Sequence, residues 1–398
     1  MRPVRIVSRL LCGLVLAGGA TAAPPADPAG ALDAPAGAGF AQALTPRAFT
    51  FPQDHGPHEQ FRQEWWYFTG HLESTSGERF GFELTFFRFA LAPPDPATAT
   101  ATATAAASAW RAREIYMAHF AITDIAGQRF EYAQKLSRAA LGLAGAHGAP
   151  LQVWIDDWSL AEPAHPGAAP HWQLHAAQAG YELRVELAPV GAPVANGDAG
   201  LSVKSAQPGS ASYYYSLPRI AVTGTLVRGG APLAVTGLAW FDHEWGSAAL
   251  ATSQAGWDWF ALQLADGSAL MFYALRDRDG QRDAHSAGTF IDADGALRAL
   301  GSADVALAAT GSWVSGDGVR YPSGWRIRVP ALALDLTAQP VLKDQELRTN
   351  PRYWEGAVQL TGTRRGAPAA GQGYVELVGY AQERCPAGAT GAHGCVAR

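Results

Sequence analysis

Two stretches of this chain, residues 65–88 and 257–276, spell one structural phrase twice, and that repetition limits what the polypeptide can fold into. The first copy runs Trp65-Trp66-Tyr67-Phe68-Thr69-Gly70-His71-Leu72, passes a Ser-Gly turn, and returns as Phe80-Gly81-Phe82-Glu83-Leu84-Thr85-Phe86-Phe87-Arg88. The second runs Trp257-Asp258-Trp259-Phe260-Ala261-Leu262-Gln263-Leu264, turns at Ala-Asp-Gly, and returns through Met271-Phe272-Tyr273 to Arg276. Trp65 overlies Trp257, Phe68 overlies Phe260 and Leu72 overlies Leu264; the closing arginines coincide once four loop residues are skipped. Aromatic, β-prone runs bounded by Gly, Ser and Asp are hairpin signatures, and Asp266-Gly267 suits a tight turn that needs positive φ. Two related hairpins this far apart predict two β-domains descended from one.

The rest of the chain carries the same message. Short β-prone segments recur at 116–123, 152–158, 172–177, 181–188, 212–217 and 220–227. A second series follows at 233–241, 257–264, 269–276, 288–292, 324–329, 332–336, 357–363 and 374–381. Forty-four glycines and twenty-six prolines supply the turns between them. About eight strands per domain closes a small barrel that can hold one ligand; a β-sandwich has the same count, and the barrel is preferred. The Gly229-Gly230 region puts the domain boundary near 228–236, with a first domain over 48–230 and a second over 231–384.

Arg2, Arg5 and Arg9, an apolar run through Leu16-Ala17, and small residues up to Ala23 have the order of a secretory signal peptide over 1–23, cleaved near Ala22 or Ala23. Cleavage implies a periplasmic or secreted protein with no transmembrane anchor in the mature chain. Residues 24–47 read as a disordered lead-in, and the Ala-Thr alternation within 93–108 as a long surface loop. Losing three arginines takes the formal charge from −5 to −8, which argues against nucleic acid as a partner. Cys385 and Cys395 then remain in the terminal segment 385–398, an even count that reads as one disulfide in an exported chain.

The densest polar-aromatic run is Trp240-Phe241-Asp242-His243-Glu244-Trp245. Ionisable groups among tryptophans can supply a carboxylic acid with a raised pKa, with Asp242, His243 and Glu244 as candidates; the plainer reading is a polar corner. Strand alternation puts Tyr213 and Tyr215 on one face and Tyr214 on the other. With Trp240, Trp245 and the hairpin rings Trp65, Tyr67, Trp257, Trp259 and Tyr273, Tyr213 and Tyr215 are candidate walls for a flat apolar ligand or a cationic centre. The run Asp54-His55-Gly56-Pro57-His58-Glu59, with Glu64, His71 and His119, offers metal-ligand chemistry, but Gly56-Pro57 prevents the helix that would align the histidines; structural roles are favoured. Asp156-Asp157, and Gln345-Glu346 ahead of Glu355, read as turn or rim polars. No Gly-x-Ser-x-Gly elbow and no phosphate-cradling glycine loop is present, and no cofactor is expected.

Several phrases in order, from Pro57 through Leu72, then Trp154-Ile155-Asp156-Asp157-Trp158, Ser212-Tyr213-Tyr214-Tyr215-Ser216, Asp242-His243-Glu244-Trp245, Gly256-Trp257-Asp258-Trp259-Phe260 and Tyr353-Trp354-Glu355-Gly356-Ala357, resemble the exported AttH-like proteins related to carotenoid 1,2-hydratases. The resemblance implies an all-β chain of two tandem lipocalin-like antiparallel barrels, encoded near ABC-transporter components. It also implies a hydrophobic small-molecule ligand, isoprenoid or lipid-like, with ABC export components as partners. The related hydratases add water to an isoprenoid double bond without a cofactor, an aromatic-x-Asp unit supplying the acid and a His-x-Trp unit lying one hairpin earlier. Trp240-Phe241-Asp242 resembles the first unit with tryptophan in place of tyrosine; at the second, this chain has Tyr213-Tyr214-Tyr215. The expectation is therefore a ligand-binding barrel protein with a hollow near Asp242, a hydro-lyase with Asp242 as general acid being the alternative. A structural pairing of two filled barrels is the third reading.

Overall fold

The computed structural model describes residues 39–94, 112–163, 171–178, 180–248 and 250–381. The signal-like segment, residues 24–38 of the lead-in, most of the Ala-Thr stretch and the two C-terminal cysteines lie outside them; residues 39–47 are corrected from a disordered lead-in, since Ala43 is buried in the first core and Thr45 O accepts from the Tyr213 hydroxyl. Two antiparallel sheets contain nearly all of the strands.

The first is built from β1 (Gln63–Ser74), β2 (Arg79–Ala90), β3 (Glu114–Asp124), β4 (Arg129–Arg138), β5 (Ala144–Gly148), β6 (Leu151–Ile155), β7 (Trp158–Ala161), β8 (Trp172–Gln178) and β9 (Tyr181–Pro189). The short β10 (Val194–Ala195) and β11 (Leu201–Val203) pair with β12 (Ala211–Arg228), and β13 (Ala231–Gly246) follows. The order β4-β3-β2-β1-β13-β12-β9-β8-β7-β6-β5 is an up-and-down meander whose last strand pairs with its first. The result is a nearly closed barrel with its gap between β4 and β5.

The second sheet repeats the plan with β14 (Gln254–Leu264), β15 (Ala269–Asp277), β16 (Ala287–Ile291), β17 (Leu297–Gly301) and β18 (Ala306–Ala309). A separate hairpin of β19 (Ser312–Val314) and β20 (Arg320–Pro322) precedes β21 (Trp325–Val329), β22 (Leu334–Pro340), β23 (Glu346–Leu347), β24 (Tyr353–Arg364) and β25 (Ala367–Val378). Its order, β17-β16-β15-β14-β25-β24-β22-β21-β18, again joins last strand to first, and forms a half-barrel. The all-β, two-barrel architecture expected from the sequence is the one present. The repeated hairpins are β1-β2 and β14-β15, each opening its own sheet, and Gly267 takes φ 93° in the second turn.

The boundary is corrected. Gly229-Gly230 is the turn of the β12-β13 hairpin, and β13 closes the first barrel by pairing through Val235–Gly246 with all of β1. The chain passes to the second barrel through residues 247–253. The 152–158 segment is also two strands, because Asp156 turns at φ 52°.

Alternation along the strands decides what each barrel holds. Trp66, Phe68, Phe82, Leu84, Phe120, Trp172, Tyr215 and Phe241 point into the first barrel. The rings meet along its axis, Phe68 with Phe241 at 4.5 Å and Trp172 with Phe241 at 5.2 Å. Phe260, Phe272, Trp325 and Trp354 do the same in the second. Burying a large side chain is worth about 2 kcal/mol, so these fillings carry the stability of each unit. The expected ring-lined hollow is therefore corrected: the axial positions hold packed rings.

A third cluster lies between the barrels. Tyr67, Tyr214 and Trp240 from the outer face of the first pack against Trp259, Ala261, Met271, Tyr273, Ala357 and Tyr374 from the outer face of the second. The seam is also stitched by hydrogen bonds: Gln263 Nε2 donates to Pro218 O and Ala239 O at 2.8 and 2.9 Å, and His71 Nε2 donates to Gly373 O at 2.8 Å. Gly81 marks a close approach, since a Cβ there would stand 2.5 Å from the Tyr374 hydroxyl and 2.8 Å from Ala357 Cβ.

Candidate active site

The run Trp240 to Trp245 lies on β13, and its alternation splits the sequence-predicted residues into two sites. Trp240, Asp242 and Glu244 face the seam; His243 and Trp245 face the barrel interior. Tyr213 and Tyr215 also point inward, so they do not wall Asp242, because their strand β12 presents Ser212, Tyr214 and Ser216 to the seam. Trp65, Tyr67, Trp257, Trp259 and Tyr273 all join Asp242 in the seam.

Asp242 is 4% exposed. Its Oδ1 accepts from Ser216 Oγ and from Trp240 Nε1, each at 2.6 Å, and its Oδ2 lies 2.5 Å from the Tyr214 hydroxyl. That hydroxyl in turn accepts from Trp259 Nε1 at 3.1 Å, across the seam. Burial pushes the carboxyl up to about 7, outweighing the three donors, which favour the ionised form. Ser216 and the indole of Trp240, which can only donate, both use Oδ1 as an acceptor, so the proton of the neutral acid belongs on Oδ2, the oxygen that takes the single hydrogen bond from Tyr214. Tyr67 and Trp259 meet edge to face at 5.1 Å and Trp240 and Trp259 at 6.3 Å, enclosing the acid with rings.

Further acids share the seam. Glu244 contacts Ser212 Oγ and lies 3.2 Å from Lys204 Nζ, and that ammonium stands over the Tyr273 ring at 4.1 Å. Burial disfavours the charged Lys204, but Glu244 outweighs it and the lysine pKa is raised. Glu355 Oε1 accepts from the Tyr67 hydroxyl at 2.7 Å, Glu83 contacts Thr85 Oγ1, and the second oxygen of each is buried without a hydrogen-bond partner. Burial drives both far above the usual carboxylate range, and the charges of neighbouring seam acids add to it. Glu376 accepts from Trp257 Nε1 at 2.6 Å; its enclosure raises it to about 7, against that bond and with the charge of Asp242. Glu355 and its neighbours Gln345 and Glu346 are fully buried, not at a rim as expected. Asp156-Asp157 does form an exposed turn, with Asp157 against Lys135.

Tyr214, Ser216, Lys204, Glu83 and Glu376 were not singled out by sequence. Parity with Asp242 on β13 was legible, but which strands flank it was not. The pairing of β13 with β12 brings in Tyr214 and Ser216, that of β11 with β12 brings in Lys204, that of β2 with β1 brings in Glu83, and docking of the barrels brings in Glu376.

The inward face carries the histidines. His58 Nδ1 and His243 Nε2 lie 2.7 and 2.8 Å from Glu64 Oε1, His58 Nε2 lies 2.9 Å from Asp54, and Arg88 Nε donates to Glu64 Oε2 at 3.0 Å. His55 Nδ1 is 2.6 Å from the Tyr215 hydroxyl. His58 stacks on Trp245 at 3.7 Å. Burial opposes it, yet Glu64 and Asp54 raise the His58 pKa; burial leaves His243 lowered and neutral. The ligand atoms of His58, Glu64 and His243 lie within 4.8 Å of one another, a metal-sized cluster. An ion there would have to break both ring bonds to Glu64 beside the Arg88 guanidinium, so the residues fit a network of protons better. His71 and His119 are on the opposite, seam-facing side and do not join it.

Fold and site together define a protein of two lipocalin-like barrels joined by an acidic, aromatic seam. A family model described as AttH-like matches residues 42–380, and the chain belongs to that family. An AttH protein of Nitrosomonas europaea is 34% identical with a TM-score of 0.75, the match covering 86% of this chain and all of that one. Kievitone hydratase of Nectria haematococca shares the fold at 15% identity and a TM-score of 0.63, over 86% of this chain and 97% of that one. Among curated proteins, none matches significantly. Among the described residues, no helix is long and apolar enough to cross a membrane.

Proposed function

We propose that the seam is an acid site which takes an apolar alkenyl ligand, isoprenoid in character, and adds water across its double bond. One observation carries this: Asp242, buried among indole and phenol rings, is poised near neutrality with its proton directed to one oxygen. Such an acid can protonate the electron-rich carbon of a trisubstituted alkene, and the tertiary cation that results is stabilised by the ring faces of Trp259, Tyr67 and Trp240. Water entering past half-buried Trp65, Trp257 and Leu250 completes the addition. A two-barrel fold that also serves a protein named as a hydratase is in keeping with this chemistry. The leader-like N-terminus supports action in the periplasm or outside the cell, where a ligand handed over by an ABC export system would be met.

The test is incubation of the mature protein with acyclic carotenoids and shorter prenyl alkenes in ¹⁸O-water, with mass spectrometry for the labelled alcohol. Asp242→Asn should lower turnover by roughly 10²–10⁴ while alkene binding, followed by quenching of the seam tryptophans, persists. Binding without turnover by the wild type would leave a carrier; neither would end the reading.

A further inference from the structure

The duplicated hairpins place a second carboxyl at the position equivalent to Asp242. In the first barrel Asp242 is the cross-strand partner of Tyr67 on one side and Ser216 on the other. In the second barrel Trp259, which overlies Tyr67 in the repeat, partners Glu376, and Glu355 lies on its far side. Glu376 is thus the repeat mate of Asp242, and the docking of outer face on outer face brings both into one seam.

The two halves also reach into each other. Tyr67, beside Asp242, donates to Glu355, beside Glu376; Trp259, beside Glu376, donates to Tyr214, which holds Asp242. The surroundings of the two acids differ in a useful way. Asp242 is sealed and bound by three donors, whereas Glu376 is half-buried next to half-buried Trp257, on the side from which water can arrive.

We propose that Glu376 is the base to Asp242's acid, accepting the proton of the water that adds to the substrate cation. This rests on the reading of the seam as an acid site. In the first step the Oδ2–H bond of Asp242 breaks and a C–H bond forms from the alkene π pair. In the second, a water oxygen forms the C–O bond and gives its proton to the Glu376 carboxylate. Return of that proton from Glu376 to Asp242 restores the pair, and the net change is alkene plus water to alcohol.

The other groups facing the seam are less suited. Glu83 and Glu355 are sealed and held neutral, so they have no lone charge to take a proton, and Glu244 is occupied by Lys204 and Ser212. Tyr67 and Tyr214 have their hydroxyl pKa values driven up by burial and by the same carboxylates.

Two measurements on the mature protein test this. In deuterium oxide, Glu376→Gln should still exchange deuterium into an alkene substrate, since protonation at Asp242 and its reversal need no second base. Its hydration rate should fall roughly 10²–10³-fold, with partial recovery in Glu376→Asp, while Asp242→Asn loses both reactions. In infrared titration of the protonated carboxyl band, Glu376→Gln should lower the Asp242 midpoint by about one pH unit, because a like charge has been removed. Hydration at the wild-type rate in Glu376→Gln, or an unmoved Asp242 midpoint, overturns the pairing alone. Absence of both exchange and hydration in the wild type overturns the acid site and the pairing with it.

Discussion

Replacing Asp242 by asparagine should make the protein more stable, and increasingly so as pH rises. The carboxyl ionises near 3.8 in an unfolded chain and at about 7 in the fold. The folded state therefore binds the proton more tightly, so stability is fully present below the lower value and is lost as pH climbs to the upper one. Each unit of difference is worth about 1.4 kcal/mol, giving a loss of about 1.7 kcal/mol by pH 5 and about 4 kcal/mol by pH 8. Asparagine cannot ionise, keeps the volume, and retains an oxygen for Ser216 and Trp240 while its amide can donate to Tyr214. The gap between variant and wild type should accordingly widen by about 2.5 kcal/mol from pH 5 to pH 8, which for barrels of this size corresponds to roughly 5–10 °C in Tm. Urea unfolding at the two pH values reads this directly, with Trp240 and Trp259 reporting from the seam. Parallel pH profiles for the two proteins would refute the claim that Asp242 is held neutral by burial.

The inward network predicts the opposite response. Glu64→Gln removes the carboxylate that binds His58, His243 and Arg88 in a fully buried site, and should destabilise by about 3–5 kcal/mol in urea unfolding; a loss below about 1 kcal/mol would contradict the network's role. Despite burial, His58, His243 and Arg88 hold the Glu64 pKa well below the usual range, so its stabilisation is complete above about pH 4.5 and is lost as pH falls; Glu64→Gln should flatten the acid limb of the wild-type stability curve. Gly81→Val should part the barrels, because its Cβ meets Tyr374 and Ala357; faster proteolysis at 247–253 with unchanged far-ultraviolet dichroism is expected, and unaltered cleavage would contradict the close approach. Zinc or a chelator should leave Tm within about 2 °C, since the His58-Glu64-His243 positions are already filled by hydrogen bonds; a larger rise with zinc would identify a metal site.

The two-fold plan is written in the chain's residue pattern. The overlay of Trp65 on Trp257 and Phe68 on Phe260 is carried by strand periodicity, and the paired residues occupy the same face in each barrel because side-chain direction repeats every second residue. The same periodicity separates Tyr214 from Tyr213 and Tyr215, whereas Asp242 and His243, grouped as one candidate site, part only in the fold. It could not say which face meets what. Only closure, with β13 returning to β1, moved the domain boundary past Gly246 and set Tyr67 and Ser216 on either side of Asp242. Only the docking of outer face on outer face brought in Glu376 and Glu355, more than a hundred residues away in the chain, and sealed the acid from water. Parity is a local property of the backbone, but burial and the charges around a carboxyl are set by whatever surface arrives from elsewhere, and on those the chemistry of Asp242 depends.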